Sequence, residues 1–83
     1  MQLVYFASMR EAIGTSEETL AKPDSVNTVA DLIAFLKTRD DKYAVALKKT
    51  DFIRVAVNQV HVKHDMLLAD SDEVAIFPPV TGG

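Results

Sequence analysis

The apolar positions of this chain fall into strand-like alternation at both ends and one helical stripe in the middle. Gln2-Leu3-Val4-Tyr5-Phe6-Ala7 is rich in β-formers, with Leu3, Tyr5 and Ala7 on one face and Val4 and Phe6 on the other. Both faces are apolar, which predicts a central strand or one whose second face meets a partner. Ser8 to Gly14 reads as a short helical turn closed by a left-handed glycine. Thr15 to Ala21 alternates weakly and is polar, as expected of an edge strand returning beside the first, and Lys22-Pro23-Asp24-Ser25 is a turn.

Thr28 opens the clearest helix. It is a good N-cap, with Asp31 three residues on completing a capping-box pattern. Val29, Leu32, Ile33 and Leu36 recur at i, i+3, i+4 and i+7, a single stripe suited to packing on a sheet. Lys37 and Arg39 lie in the last turn, where cations favour the helix dipole. Asp40-Asp41-Lys42 interrupts the pattern, and Tyr43 to Leu47 predicts a further short helix. Phe52 to Val57 alternates with Ile53, Val55 and Val57 on one face; Asn58-Gln59 is a two-residue turn, and Val60-His61-Val62 its partner strand. Asp65 to Ala69 is expected to be a connector with Leu67 and Leu68 buried, and Asp70-Ser71-Asp72 a polar turn before the last strand, Val74 to Phe77.

Placing the first and last strands side by side as parallel central neighbours suits their apolar faces. The helix then covers Leu3, Tyr5, Val55, Val57, Val74 and Ile76. The other face carries Val4, Phe6, Arg54, Ala56, His61, Ala75 and Phe77. Phe6 and Phe77 come close together there, and such an apolar cluster predicts a docking surface.

Composition narrows the function classes. A chain of 83 residues has room for one core, so residues 1–83 read as one domain, with 78–83 as an extended, flexible C-terminal tail. There is no cysteine, which excludes a disulfide scaffold, a thiolate metal site and a cysteine nucleophile. A net charge of −3 with nine scattered Lys and Arg argues against nucleic acid as a partner. No segment approaches membrane-spanning length and no signal peptide precedes the first strand, so the expected location is cytoplasmic. His61 and His64 have metal-site spacing, but no third ligand type clusters with them, so they read as surface histidines and no metal is expected. Gly14 stands alone, with no phosphate loop around it. Asp70, Asp72 and Glu73 read as a solvated turn, or more weakly as a docking point for a basic partner.

The remaining chemistry is at the C-terminus. Pro78 and Pro79 end the last strand's ladder, and Val80-Thr81-Gly82-Gly83 would extend roughly 13–14 Å beyond it. A terminal Gly-Gly arises by chance in about 0.5% of sequences, so the thin tail reads as functional. The α-carboxylate of Gly83 is a poor electrophile and needs activation, commonly as an acyl-adenylate. This chain offers no nucleotide site, so that chemistry belongs to a partner.

The run Asp72-Glu73-Val74-Ala75-Ile76-Phe77-Pro78-Pro79-Val80-Thr81-Gly82-Gly83 resembles the C-terminus of molybdopterin synthase small subunits. These are sulfur carriers of the ubiquitin-like β-grasp fold. The resemblance extends to the opening strand with Met9-Arg10-Glu11, the Thr28-Val29 helix start and Val57-Asn58-Gln59. It implies an α+β fold, a mixed sheet of four to five strands with one main helix on one face. It implies that an E1-like adenylating enzyme activates Gly83 with ATP, that a sulfur donor protein converts it to a thiocarboxylate, and that the tail enters the large subunit of the synthase. There the sulfur would build the dithiolene of a pyranopterin. No cofactor is expected on this chain. Gly83 would be the reacting residue and Gly82, Thr81 and Val80 the channel segment. Phe6, Phe77, His61, Pro78 and Pro79 would meet the partner. The diglycine alone would equally suit a ubiquitin-like protein modifier or a thiamine-pathway sulfur carrier. Two positions depart from the family pattern: Ser71, where a glycine is frequent, and His61, where an apolar residue is usual.

Overall fold

The computed structural model describes residues 1–78. Strand β1 (Gln2–Tyr5) leads into helix α1 (Ala7–Ile13) and strand β2 (Glu17–Thr19), then helices α2 (Val29–Arg39) and α3 (Asp41–Ala46). A single-turn helix at Thr50–Phe52 precedes strands β3 (Arg54–Val57), β4 (Val60–Val62) and β5 (Glu73–Phe77). The five strands form one mixed sheet in the order β2-β1-β5-β3-β4. β1 and β5 are parallel neighbours, with Leu3 opposite Val74 and Tyr5 opposite Ile76, while the other pairings are antiparallel. The parallel β1–β5 pairing is the one expected from the apolar ends of the chain, and the whole is the β-grasp arrangement that the family resemblance implies.

The core lies between the sheet and the helices. Leu3, Tyr5, Val55, Val57, Val74 and Ile76 project from the sheet onto the stripe Val29, Leu32, Ile33 and Leu36 of α2. Met9, Ile13, Tyr43 and Leu47 close the sides. The α2 start is fixed by a full capping box: Thr28 Oγ1 accepts from the Asp31 amide at 3.2 Å, and Asp31 Oδ2 accepts from the Thr28 amide at 3.1 Å. A further amide, that of Asn27, donates to the same carboxylate and with the other contacts holds its pKa below the usual range. Thr28→Ala is expected to cost about 1 kcal/mol in a denaturant melt, with little change in the slope.

Asp40 serves two helices, ending α2 in an extended conformation and accepting from the Lys42 amide at the start of α3. The Asn58-Gln59 turn carries φ of 50° and 70°, the twist that two-residue hairpins require.

Three expectations are corrected. Leu67 is 69% exposed, whereas Leu68 is buried. The segment is extended, bridging Thr28 through Leu67 and donating from the Leu68 amide to the Asn27 carbonyl. Successive side chains therefore face opposite ways, and only one leucine reaches the core. Ala7 does not continue β1. The ladder ends where the Phe6 amide donates to the Ile76 carbonyl, and the chain turns at Ala7 through a φ of 52° into α1. Phe52 belongs to the single-turn helix and not to β3, because its amide closes back on the Lys49 carbonyl. Among the described residues no helix is long and apolar enough to cross a membrane.

Candidate docking face and tail root

The side of the sheet not covered by α2 is built in rows by the strand register. Val4, Ala75, Ala56 and His61 stand side by side across β1, β5, β3 and β4. The next row pairs Phe77 with Arg54, and Phe6 stands just past the end of β1. Two alanines thus make a low floor, and aromatic rings stand at its edge.

Those rings are organised. Phe6 and Phe77 meet edge to face with centroids 6.0 Å apart, and His61 packs on Phe77 at 5.4 Å in the same manner. Such tilted geometry is what aromatic quadrupoles favour. Phe6 nevertheless remains 46% exposed, so the cluster is formed but uncovered by the described residues. The expected neighbours Phe6, His61 and Phe77 are therefore brought together. Phe6 is held there by the sharp turn at Ala7, which sequence periodicity did not reveal.

Pro78 follows the last paired residue and is half-buried. It lines a groove of about 460 Å³ with Met9, Val45, Ala46, Lys48 and Lys49, at the foot of α1 and α3. The tail thus begins between the aromatic face and this groove, on a strand hydrogen-bonded along both edges. Pro79, Val80, Thr81, Gly82 and Gly83 lie outside the described residues.

The other candidates resolve into supporting structure. Asp72 accepts from the Ala69 amide at 2.8 Å and from Asn58 Nδ2 at 2.9 Å, and Asp70 accepts from the Lys22 amide at 2.7 Å. These carboxylates organise the turn before β5. His64 is not the free surface side chain expected: its ring is half-buried and Nε2 donates to the Ile53 carbonyl at 2.9 Å. No group of three or more metal-ligating side chains occurs among the described residues.

One network went unanticipated. Glu18 Oε2 accepts from Tyr5 Oη at 2.7 Å and from Tyr43 Oη at 2.6 Å, and its Oε1 accepts from Arg39 Nη1 at 2.9 Å. The Arg39 guanidinium also lies 5.1 Å from the Tyr43 ring centroid. This joins the edge strand β2 to β1, α2 and α3. Partial burial alone would raise the Glu18 pKa, but the donors from Tyr43, Tyr5 and Arg39 outweigh it and hold the group below the ordinary carboxylate value. Burial, with the Glu18 charge beside it, pushes the Tyr5 hydroxyl far above its normal range. The network is a structural clamp, attached through Tyr5 to the core side of the sheet rather than to the aromatic face.

Comparison with known proteins agrees with this geometry. The model of the ThiS family matches residues 3–83. The molybdopterin synthase sulfur carrier subunit of Escherichia coli is 40% identical over 83 residues, covering all of this chain and 99% of that one. Among solved structures, a putative molybdopterin converting factor subunit 1 from Pyrococcus furiosus superposes with a TM-score of 0.73 at 33% identity, covering 95% of each chain. The small archaeal modifier protein SAMP1 of Haloferax volcanii gives 0.74 at 28% identity, covering all of this chain and 98% of that one. A sheet with an aromatic face that the described residues leave uncovered, a last strand at its middle and full-length similarity of this kind lead to one assignment: the chain belongs to the ThiS family, among the molybdopterin synthase sulfur carrier subunits.

Proposed function

We propose that this chain carries sulfur for molybdenum cofactor biosynthesis on the carboxylate of Gly83. The full-length identity to the Escherichia coli sulfur carrier subunit is the observation that carries this reading. An E1-like enzyme joins the carboxylate to the AMP moiety of ATP, releasing pyrophosphate. A sulfur donor then displaces AMP, leaving a thiocarboxylate. The large subunit of molybdopterin synthase accepts the tail, takes the sulfur into the dithiolene of the pyranopterin, and returns the carboxylate. This chain's own contribution is delivery: a rigid sheet, an aromatic face to dock, and a narrow tail of Val80, Thr81 and Gly82. Bringing the reacting group into an enclosed site at fixed geometry is a rate contribution in itself.

The similarity to SAMP1 favours a second reading, a protein modifier whose Gly83 ends in an isopeptide bond to a lysine. Mass spectrometry of the chain isolated from its own cells separates the two. Exchange of a terminal oxygen for sulfur is the expected result, whereas a lysine adduct as the main product would replace the carrier reading with the modifier one.

The docking face yields its own test. Phe77→Asp puts a carboxylate opposite Arg54 on the outer face, so the helix-side core and the melting curve should be nearly unchanged. Affinity for the large subunit should fall by ~2 kcal/mol or more, as for an aromatic anchor at an interface centre. Calorimetric titration of the variant checks this, and wild-type affinity would remove Phe77 from the interface.

A further inference from the structure

Beyond His61, the β3–β4 edge holds a groove of about 560 Å³ to which the docking reading assigns nothing. Asp51, Phe52, Arg54, His61, Lys63 and His64 are among the residues that line it. Arg54 opens β3 and Lys63 directly follows the end of β4, so they flank the Val55–Val62 pair and the hairpin register brings them to the same side of the sheet as His61. The fixed charge here is two cations against one carboxylate, although the chain as a whole carries −3. Ion pairs among the described residues are Met1–Asp70 and Arg39–Glu18, so neither Arg54 nor Lys63 is neutralised there. Beside them Phe52 is 65% exposed, an apolar surface next to uncompensated positive charge.

A lysine at the end of an edge strand is a common guard against strand-to-strand aggregation, and Lys63 alone would be explained that way. Arg54 would not, because β3 is an inner strand paired on both sides. Its side chain is exposed on the face, opposite Phe77 and next to the aromatic cluster. The groove is therefore continuous with the docking face through His61 and Phe77.

We propose that this groove is the charged half of the docking site and receives an acidic segment of the large subunit. An Asp or Glu of that segment sits between Arg54 and Lys63, and an adjacent apolar side chain covers Phe52. The aromatic cluster supplies desolvated contact, while the cations steer the approach and fix the orientation of the carrier on its partner. The inference rests on the sulfur-carrier reading, since it takes the large subunit as the occupant.

The test uses the full chain and the purified large subunit, with affinity and association rate measured at about 50 mM and about 500 mM salt, where screening is weak and strong. Arg54→Glu/Lys63→Glu should bind roughly tenfold or more weakly at low salt, chiefly through slower association, and approach wild type at high salt. Lys22→Glu/Lys42→Glu makes the same change in net charge away from the groove and should have a much smaller effect. Thermal melts of both variants identify any loss of folding, and single Arg54→Gln and Lys63→Gln variants, each expected to weaken low-salt binding severalfold, replace a double variant that fails to fold. Low-salt affinity within twofold of wild type would overturn the proposal. So would equal weakening by the control pair, or a loss that salt does not diminish. Weakened binding to the activating enzyme alone would overturn the large subunit as occupant. Absence of any wild-type binding to the large subunit would instead count against the carrier reading itself, so the two failures are distinct.

Discussion

Deletion of Gly83 should abolish sulfur transfer while leaving the melting temperature where it was. Among the described residues the core is closed between Met1 and Ile76, and Gly83 has no side chain to contribute to it. Docking should persist as well, because Phe6, His61 and Phe77 are untouched. Appending one alanine after Gly83 should be nearly as damaging as deletion. It moves the reacting carboxylate by ~3.3–3.6 Å and adds a Cβ where a narrow partner channel expects none. Displacements of ~1 Å can cost about a hundredfold in rate, so activity should fall by at least that factor. A reconstituted transfer assay, run beside a binding titration on the same variants, reads both quantities. Full product from the shortened chain would refute the mechanism. Joint loss of binding and activity would make the tail an anchor before it is a carrier.

The second large effect is on folding. Glu18→Ala is expected to destabilise the protein by about 3 kcal/mol, because it strips the buried Tyr5 hydroxyl and that of Tyr43 of their acceptor. For a domain of this size that corresponds to a fall of roughly 12–24 °C in Tm. The Arg39 contact adds little to this figure, since a third of that side chain is exposed to screening solvent. Acid should reproduce part of the loss. The folded-state pKa of Glu18 lies below its unfolded value, so its contribution is fully present above the ordinary carboxylate range and disappears as pH falls through that range to the lower folded value. Glu18→Gln should therefore flatten the acid side of the stability profile relative to wild type. Urea melts from neutral pH to about pH 3, spanning the unperturbed carboxylate pKa, would show it. An unchanged acid limb would mean that Glu18 is not the group responsible.

The strands and the main helix were legible because their signals are local. The stripe Val29–Leu36, the Thr28–Asp31 capping box and the Asn58-Gln59 turn each sit within a few residues, and each formed as read. The parallel pairing of β1 and β5 followed from two apolar faces on both strands, and with it the meeting of Phe6 and Phe77. Leu67 was misplaced because a pair of leucines gives no phase on its own; the bridge to Thr28 sets it. The Glu18 clamp could not be read because its donors lie 13, 21 and 25 residues away and depend on how three elements pack. The basic groove needed the register across the hairpin before Arg54 and Lys63 could be seen as neighbours. The diglycine stands out for another reason, since composition alone marks Gly82-Gly83 as unusual, while the role proposed for Gly83 comes from the family resemblance.

The placement of β5 between β1 and β3 also bears on mechanics. A pull on the C-terminus acts along β5, so the ladder bonds on both of its edges bear the load together in shear rather than opening one after another. Four register positions tie β5 to each neighbour, Gln2 to Tyr5 on one side and Arg54 to Val57 on the other. A partner can therefore grip and withdraw the tail without drawing the body apart. A protein-unwinding machine that engages the same end should stall at Phe77, and unfolding under force should require markedly higher tension from the C-terminus than from the edge hairpin β3–β4 peeled at Val62.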